Sequence, residues 1–367
     1  MSAELFNVKT LEELGDALPW SDYKTICEAL KKDYAENYRR FMIPKKNGGV
    51  RVIQSPQGEI KRVQTSIRSM LAWIYINYAP KAAHGLMKRR SIVGNALPHV
   101  QKQWVLNFDL QDFYGTISEK RVAGLFRAIP FYLPDEIADT LAKLTTTPLG
   151  LPQGAPSSPV IANMIAFQLD ISLTKLAKNY GYDYTRYADD ITLSSNKPFG
   201  AKIVAFNPTN KRYSLGEKLL AIIEDCGFKV NPEKTRLQHR HERQVVTGLT
   251  VNDKPNVDRK YIRNIEGMIH AIQKYGANSI LTFNQRYAKE AIPLEMPFSI
   301  KVDYFINTLL GKLSFVKMVK GQDDPVYKRL IASVHQEAFS VDEPARDSGK
   351  EIIQSLKAYL TVKTANN

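Results

Sequence analysis

Acidic residues stand at the ends of apolar segments in this chain, which limits the folds that it can adopt. Asp109 closes the segment WVLNFD, and Asp189 and Asp190 lie between the segments Tyr184–Ala188 and Ile191–Ser195. Short apolar segments of this kind are typical of buried strands. Adjacent carboxylates at a strand turn repel each other and lose hydration unless a cation offsets their charge. The pattern therefore predicts strands that bring acidic ends together around a cation.

The alternative interpretation is an exposed hairpin, because Asp is common in turns. The apolar flanks of Asp189-Asp190 and the acidic end of a second strand at Asp109 favour the cation site. Mg²⁺ prefers hard oxygen ligands, in the form of one or two carboxylates plus substrate phosphates. Two such ions, roughly 3.5–4 Å apart, can activate an attacking hydroxyl and stabilise a leaving pyrophosphate. The three aspartates thus predict phosphoryl-transfer chemistry that depends on two Mg²⁺ ions.

Helical periodicity surrounds the predicted strands. Residues 1–40 are predicted to be helical, and residues 60–79 to form an amphipathic helix. Another helix is predicted over residues 157–179, with Ser157 or Ser158 as its N-cap.

A further helix is predicted from Leu215 to Cys226, ended by Gly227. The segment Ile43–Ile53, IPKKNGGVRVI, predicts a hairpin that turns at Asn-Gly-Gly. Beyond about residue 255 the chain is predicted to be mostly helical and basic. This order predicts an α+β fold, with an antiparallel sheet and helices on one face.

The charge balance favours a polyanionic partner. Lys and Arg total 51 against 37 Asp and Glu, a formal net charge of +14, and neutralising phosphates releases counterions. A basic protein without such a partner has the same balance. Cys27 and Cys226 lack metal-ligand spacing, which fits core residues in a reducing compartment. The N-terminus has no signal peptide pattern, and the longest apolar run, Met70–Ile76, is too short to cross a bilayer. We expect a cytoplasmic protein without a membrane partner.

Three motifs resemble those of reverse transcriptases. YADD at Tyr187–Asp190 resembles the metal-binding motif of that family, and FDLQDFY at Phe108–Tyr114 resembles the first palm motif. LPQGAPSSP at Leu151–Pro159 resembles the motif that contacts template and incoming nucleotide. The motifs occur in the family's order, and the resemblance extends from about residue 43 to residue 250, more weakly to the end.

The resemblance implies a right-hand polymerase fold with fingers, a palm built on an antiparallel sheet, and a helical thumb. Residues 1–100 would form N-terminal helices and fingers, and residues 101–250 the palm, with part of the fingers at about 120–155. Residues 251–367 would form a basic helical thumb. The metal site that the resemblance implies is made by Asp109, Leu110, Asp189 and Asp190.

The resemblance also implies a dNTP site. Tyr114 matches the aromatic gate that rejects a ribose 2′-hydroxyl, although it could instead pack in the core beside Phe113. Asp112 and Phe113 would lie near the triphosphate, largely through their backbone. Gln153 matches the glutamine near the nucleotide sugar and template, and Gly154 allows a close backbone approach.

Basic residues complete the implied nucleotide site. Arg51 matches the fingers arginine that grips the triphosphate, assisted by Lys45 or Lys46, and Lys234 matches the lysine proposed to protonate pyrophosphate as general acid. Such charge stabilisation is what phosphoryl transfer requires. Each cation could also be an ordinary solvated side chain.

Two further motifs resemble the retron subgroup. Asn95, Ala96 and His99 resemble its NAxxH element, and QVVTGLTVN contains a VTG element at Val246, Thr247 and Gly248; both elements are expected to bind RNA. His99 could otherwise lie on a helix surface, and VTG could be any strand ending in a turn.

A retron identity implies specific partners. Such an enzyme recognises a structured noncoding RNA encoded beside it, called msr-msd, and copies part of it with dNTPs. It primes from the 2′-hydroxyl of a guanosine, giving the branched multicopy single-stranded DNA (msDNA), and acts with an effector protein in antiphage defence. The basic C-terminal region fits RNA reading, although each tyrosine could equally pack in the thumb core. Its candidate residues are Lys254, Arg259, Lys260, Arg263, Lys274, Arg286, Lys289, Lys301, Tyr261, Tyr275 and Tyr287.

Other functions with the same motifs remain alternatives. These are a group II intron maturase, a diversity-generating enzyme, an abortive-infection polymerase, or an RNA-binding scaffold that has lost its activity. We expect no room after the thumb for a maturase's usual endonuclease, and QGAPSSP departs from the diversity-generating pattern. All three carboxylates are present, which argues against an inactive scaffold.

Overall fold

A computed structural model describes residues 5–45, 48–209, 211–276, 279–280, 297–335 and 352–358. Its contacts divide the chain into two compact units, Met1–Thr247 and Gly248–Asn367. The carboxylate motifs and the predicted nucleotide site all belong to the N-terminal unit.

The N-terminal unit contains nine strands and ten helices among its described residues, together with 3₁₀ turns at Leu5–Asn7 and Leu97–His99. The strands are β1 (Tyr38–Pro44), β2 (Val50–Pro56), β3 (Trp104–Leu110), β4 (Asp183–Tyr187), β5 (Asp190–Ser195), β6 (Val204–Asn207), β7 (Arg212–Leu215), β8 (Val230–His239) and β9 (Val245–Val246). The helices are α1 (Leu11–Ala17), α2 (Tyr23–Lys31), α3 (Tyr34–Asn37), α4 (Gly58–Tyr78), α5 (Ile92–Ala96), α6 (Glu119–Arg127), α7 (Asp135–Thr145), α8 (Ser158–Ile165), α9 (Phe167–Tyr180) and α10 (Glu217–Asp225).

A four-stranded sheet in the order β4-β5-β3-β8 forms the centre of this unit. Every neighbouring pair is antiparallel, as the sequence predicted. Because alternate side chains of a strand point to opposite faces, the sheet has two different sides. Phe108, Ile191 and Leu193 are buried on one side, in the core that also contains apolar residues of α4, α8 and α9.

The opposite side of the sheet is polar. In the β3–β5 register Asn107 stands opposite Thr192 and Asp109 opposite Asp190, so these four side chains share one face. Asn107 Nδ2 donates a hydrogen bond of 3.0 Å to Thr192 Oγ1. This polar face carries the acidic residues at one end of the strands.

The predicted helix over residues 157–179 is two helices. α8 and α9 meet at Ala166, where the axis bends by 46° and ψ is −2°, outside the helical range. The helical periodicity on both sides of the bend is the same, so the apolar pattern alone does not reveal it. Gly181 ends α9 with a left-handed φ of 68°, in agreement with its predicted role as the stop.

The predicted helical segment 1–40 is divided by capping residues. Thr10, Asp22 and Asp33 each accept a hydrogen bond from the backbone amide three residues further on, which starts α1, α2 and α3 separately. The last residues of the segment belong to β1, and the β1–β2 hairpin extends beyond the predicted Ile43–Ile53 at both ends.

The β6–β7 hairpin and β8 had no counterpart among the predictions. β6 and β7 form a hairpin just before α10, so Leu215 ends a strand instead of starting a helix. β8 has the sequence VNPEKTRLQH, whose charged and polar composition gives no apolar signal. Cys27 and Cys226 are free and half-buried, less enclosed than the core positions expected for them.

The C-terminal unit is helical, as predicted for the region beyond about residue 255. Its elements are β10 (Leu249–Thr250), α11 (Arg259–Tyr275), α12 (Phe298–Lys320), α13 (Pro325–His335) and a helix over residues 352–358. Its core includes Ile265, Ile269, Leu309 and Leu330, all at most 4% exposed. The candidate RNA-binding residues Arg286, Tyr287 and Lys289 lie outside the described residues.

Across the described ranges, no single helix is long and apolar enough to cross a membrane. The bent pair α8–α9 passes that test of length and composition when its two parts are taken together. Ile161, Leu169 and Leu173 of this pair are fully buried in the core of the N-terminal unit.

Replacing Ile67 tests the packing of α4 in this core. Ile67 is fully buried, so Ile67→Ala is expected to lower the free energy of unfolding of the N-terminal unit by about 2–5 kcal/mol. The neighbouring Arg68→Ala, on the exposed face of the same helix, should change it by less than about 0.5 kcal/mol. Urea unfolding followed by circular dichroism measures both; equal effects of the two substitutions would contradict the assigned packing.

Candidate active site

Backbone pairing brings the three aspartates to one edge of the sheet. Asp109 on β3 is directly opposite Asp190 on β5, and the backbone amide of Leu110 donates a 2.9 Å hydrogen bond to the carbonyl of Asp189. Residues 80 positions apart in sequence are thereby fixed next to each other by strand register alone.

The turn between β4 and β5 is tight. Tyr187 pairs with Asp190, so Ala188 and Asp189 form the two-residue connection. Ala188 has a left-handed φ of 56°, which is uncommon for a residue with a Cβ. The turn thereby places the two consecutive aspartates at the end of the sheet where Asp109 also lies.

The carboxylates disfavour one another's ionisation. Burial, together with the charges of Asp109 and Asp189, raises the pKa of Asp190 to about 7. Burial and the charge of Asp109 also raise the pKa of Asp189. Ionising all three groups at neutral pH therefore requires positive charge at this edge.

Lys234 supplies part of that charge. Its Nζ lies 2.6 Å from Asp109 Oδ2, and it is half-exposed. Lys234 sits on β8, next to an irregularity in the β3–β8 pairing between Asn107 and Asp109. Lys234, the predicted general acid, is thus in contact with Asp109, a predicted metal ligand.

The donor set fits hard divalent cations. Carboxylate oxygens converge here, and oxygen is the ligand type that Mg²⁺ prefers. Burial and the charges of Asp109 and Asp189 raise the pKa of Asp190 even with Lys234 nearby. Within the described residues, no group of three His, Cys, Asp or Glu side chains is arranged as a finished metal site. Cation binding by the aspartates therefore stays a prediction, which rests on the pairing of Asp109 with Asp190 and of Leu110 with Asp189.

The second half of the FDLQDFY motif forms a loop directly after β3. Phe113 is buried and stacks on Phe228 at 5.5 Å between ring centroids, so its side chain is a core anchor. Asp112 is exposed with a left-handed φ of 44°. The turn at Asp112 comes directly after β3, and the predicted contact of Asp112 and Phe113 with the triphosphate stays a prediction.

Tyr114 is half-buried and close to the aspartates. Its ring contacts Phe113 edge-on at 5.5 Å. Burial, together with the negative charge of Asp189, raises the pKa of Tyr114 to about 12. The packing interpretation is supported by the contact with Phe113, and the role of Tyr114 as a gate stays a prediction.

The LPQG loop is joined to the β1–β2 hairpin. The backbone amide of Gln54 donates a 2.8 Å hydrogen bond to the carbonyl of Gln153. A Cβ on Gly154 would come within 2.9 Å of Ile53 Cγ2, so the close approach that this glycine permits is to β2. Gln153 keeps part of its side chain exposed.

Arg51 and Lys45 lie on the hairpin itself. Arg51 is exposed on β2 opposite Ile43, and its positive charge lowers the pKa of both Asp189 and Tyr114. Lys45 is exposed at the hairpin end, where its backbone bonds to Gly49. Lys46 lies outside the described residues.

Comparison with known proteins gives the family. Residues 43–259 match the family model described as reverse transcriptase (RNA-dependent DNA polymerase). The retron Ec86 reverse transcriptase of Escherichia coli is 32% identical over 243 residues, covering 64% of this chain and 70% of that protein. The chain belongs to the retron-type reverse transcriptases. This membership confirms the right-hand polymerase fold class predicted from the motifs.

Two relatives from Myxococcus xanthus are longer than this chain. The retron Mx65 reverse transcriptase is 36% identical over 259 residues, covering 65% of this chain and 57% of that protein. The retron Mx162 reverse transcriptase is 35% identical over 305 residues, covering 74% of this chain and 60% of that protein. The chain thus spans somewhat more than half the length of each.

The two retron-like motifs meet inside the protein. Asn95 Nδ2 donates a 3.4 Å hydrogen bond to Thr247 Oγ1. His99 bridges β4 and β5, with Nδ1 2.7 Å from Ser194 Oγ and Nε2 2.8 Å from Thr185 Oγ1. Burial lowers the pKa of His99 to about 3, so its ring is neutral.

This placement corrects the expectation of direct RNA contact for four residues. The side chains of Asn95, Ala96, His99 and Val246 are fully buried, so in this structure they touch protein instead of solvent. The expectation was wrong because these side chains pack inside the protein. The sequence pattern does not distinguish such packed residues from residues of a binding surface. Any effect of these residues on RNA binding acts through the hairpin and loop that they hold.

Several of the remaining candidates for RNA binding are accessible, whereas Lys301 in the C-terminal unit is buried, at 8% exposed, and does not offer the expected surface charge. Thr247 is half-buried and Gly248 exposed. In the C-terminal unit, Arg259, Lys260 and Arg263 are exposed on the first turns of α11. A basic surface at this helix start agrees with the charge pattern, and its ligand stays a prediction.

Sequence reasoning missed the groups beneath the turn. Arg186, Asp170 and Asn163 are all at most 1% exposed, and Arg186 pairs with Asp170 at 2.7 Å. A buried Arg directly before YADD, in an otherwise strand-like segment, was the available signal, because an Arg in a core needs a paired acid.

The repulsion among the carboxylates gives a pH-dependent prediction. A carboxyl whose folded pKa is raised adds stability while protonated, and this contribution is lost as pH rises from its unfolded value near 4 through about 7. Metal-free Asp190→Asn should therefore melt higher than the wild type at about pH 8, with the difference shrinking towards about pH 5.

Thermal unfolding with a chelator present measures this difference. The matched control is Asp16→Asn, which changes an exposed carboxylate on α1. A constant offset of Asp190→Asn across the pH range, or an equal gain in the control, would contradict the assigned electrostatics.

Proposed function

We propose that this protein is an RNA-directed DNA polymerase that adds dNTPs to a growing DNA strand. The observation that carries the proposal is the convergence of Asp109 with Asp189 and Asp190 at one sheet edge. Membership of the reverse transcriptase family supports it. The residues around this edge supply each function that nucleotide transfer needs.

Two Mg²⁺ ions held by Asp109, Asp189 and Asp190, with the backbone of Leu110 beside them, would lower the pKa of the attacking hydroxyl and neutralise the leaving pyrophosphate. The protein's part is to keep the carboxylates fixed and ionised. Strand register fixes them, and Lys234 with Arg51 lowers the cost of ionising Asp189.

The cations around the site would bind the triphosphate. Arg51, with Lys45, is exposed on the hairpin, and a guanidinium grips phosphate oxygens in a planar, two-point manner. Lys234 lies at the acidic edge, where an ammonium can donate a proton to departing pyrophosphate. Asp112 and Phe113 would present their backbone to the same phosphates.

Sugar and template would be read by two elements. The half-buried Tyr114 is fixed by Phe113 on one side, so its ring would be a rigid wall against a ribose 2′-hydroxyl. Gln153 is tied to β2 by its carbonyl and keeps part of its side chain exposed for the nucleotide and template.

The substrate we propose is a cognate structured RNA of the msr-msd kind, with synthesis primed from a guanosine 2′-hydroxyl to give branched msDNA. The retron reverse transcriptases among the relatives support this choice. The exposed basic residues of α11 would contact the RNA, acting in the cytoplasm with an effector protein in antiphage defence. A different bacterial reverse transcriptase activity is the second candidate, and an inactive RNA-binding scaffold is disfavoured by the intact carboxylates.

Nucleotide incorporation tests the proposal. Purified protein, supplied with Mg²⁺, dNTPs and an RNA template with primer, should extend the primer, and Asp189→Asn or Asp190→Asn should lower the rate by at least about a thousand-fold because a metal ligand is lost. The exposed Asp16→Asn should retain wild-type activity. Absence of extension by the wild type, even with the RNA encoded upstream of its gene, would refute the polymerase proposal.

The retron substrate has a separate test. Nucleic acid that copurifies with the protein is treated with RNase and with debranching enzyme. We expect a short DNA that is joined to RNA through a 2′–5′ linkage, because a 2′-hydroxyl primer leaves that bond. A polymerase that carries no such DNA would belong to another functional type.

Substitution of Tyr114 tests sugar selection. Tyr114→Ala removes the proposed wall, so the preference for dNTP over rNTP should fall by about ten-fold or more, while Tyr114→Phe, which keeps the ring, should change it little. Single-nucleotide incorporation kinetics with each substrate give the ratio. An unchanged preference in Tyr114→Ala would assign the ring to packing only.

A further inference from the structure

Arg186 lies directly beneath the turn that presents the aspartates. It is on β4, on the side of the sheet covered by helices, and it is completely buried. Burying a guanidinium is expensive unless every donor is paired. The arrangement of its partners is therefore informative.

Three nitrogens of Arg186 bind three different elements. Nε and Nη2 donate to the two oxygens of Asp170 on α9, at 2.8 and 2.7 Å. Nη1 donates at 3.0 Å both to Asn163 Oδ1 on α8 and to the carbonyl of Ala188 in the turn. Asp170 accepts a further hydrogen bond of 2.7 Å from the hydroxyl of Tyr184.

A second contact holds the turn from the side. Asn163 Nδ2 donates a 2.9 Å hydrogen bond to the carbonyl of Gly85. The Gly85 backbone lies so close to the turn that an added Cβ would overlap the amide nitrogen of Ala188. The backbone of Arg186 is itself bonded to Ala82 and His84, both at 2.8 Å. The turn is thus fixed by side chains below and by backbone beside it.

Stability alone does not explain this ion pair. A buried salt bridge is frequently no more stabilising than apolar residues of similar volume. Because Asp170 neutralises Arg186, the pair also contributes little net charge to the site. The pair instead fixes the position of the Ala188 carbonyl. Ala188 directly precedes Asp189 and has a left-handed φ of 56°. A lysine, with one nitrogen, cannot span these three partners.

We propose that Arg186, Asp170, Asn163 and Gly85 form a positioning clamp that holds Asp189 and Asp190 in the geometry needed to bind divalent metal. The clamp rests on the proposed function, because it serves the same carboxylates. These four residues are positioning residues: Arg186 acts through the Ala188 carbonyl, and none of them is assigned a contact with substrate.

The first test separates position from stability. The triple variant Arg186→Met/Asp170→Val/Tyr184→Phe replaces the ion pair and the tyrosine hydroxyl by apolar side chains of similar combined volume, and it leaves Asn163 Oδ1 and the Ala188 carbonyl without their Arg186 donor. Its thermal midpoint should fall only modestly, because both charges are removed together and only uncharged acceptors lose a donor. Its affinity for Mn²⁺, measured by calorimetry on the full chain, should be weaker by about ten-fold or more, as for lost supporting residues around metal ligands.

The second test leaves the ion pair untouched. Gly85→Ala adds a methyl group against the Ala188 amide, which displaces the turn, and should also weaken Mn²⁺ binding by about ten-fold. The matched control is Gly124→Ala on α6, where an added Cβ meets nothing within 4 Å; its Mn²⁺ affinity should equal that of the wild type. If the triple variant does not fold, the comparison of Gly85→Ala with Gly124→Ala tests the clamp by itself.

Kinetics supply a third readout. In both clamp variants kcat should fall by about a hundred-fold, as expected for a misplaced reacting group, while KM for dNTP changes by less than about three-fold because Arg51 and Gln153 are intact.

Folded clamp variants that bind Mn²⁺ like the wild type would overturn the clamp. If the wild type binds Mn²⁺ and the variants do so more weakly, the clamp stands even where no DNA synthesis is found. In that case only the polymerase proposal falls.

Discussion

The mutual repulsion of three carboxylates at one sheet edge is the constraint on which the rest of this structure depends. Strand pairing places Asp109 opposite Asp190 and ties Asp189 to the next residue of β3. Burial and like charge raise the pKa of Asp190 to about 7, so this edge opposes its own ionisation. Such an arrangement persists only if the surrounding fold over-determines it.

Buried polar networks on both faces of the β4–β5 hairpin provide that support. On the helix side, Arg186 joins Asp170, Asn163 and the turn carbonyl. On the polar side, His99 joins Ser194 on β5 to Thr185 on β4. Since the Thr185 hydroxyl donates to the carbonyl of Asn95, the neutral His99 ring donates from Nε2 and accepts at Nδ1. Fully paired networks of this kind rigidify the element that they enclose.

The sequence predicted the parts of the site whose signal is local. Apolar strands ending in acids identified Asp109, Asp189 and Asp190, and their convergence followed from the predicted antiparallel sheet. The motif order identified the family. Tyr114 and Arg51 were also singled out, because each stands at a fixed distance from a recognisable motif, and their roles stay predictions.

Other features depend on tertiary contacts and had no local signal. β8 is polar because it lies at the sheet edge, and the bend at Ala166 leaves helical periodicity unchanged. His99 and Asn95 look like binding residues until their burial is known. Asp170 lies 16 positions before its partner Arg186, in a helix where an acid is ordinarily a surface residue. Only the packed structure shows which polar residues support the site.

The central claim is that these carboxylates bind divalent metal together. The most direct measurement is anomalous diffraction from crystals of the protein equilibrated with Mn²⁺. The account predicts manganese at the end of β3, coordinated by Asp109 together with Asp189 or Asp190, with Lys234 displaced from Asp109. Manganese bound elsewhere, with Asp109 still paired to Lys234, would contradict it.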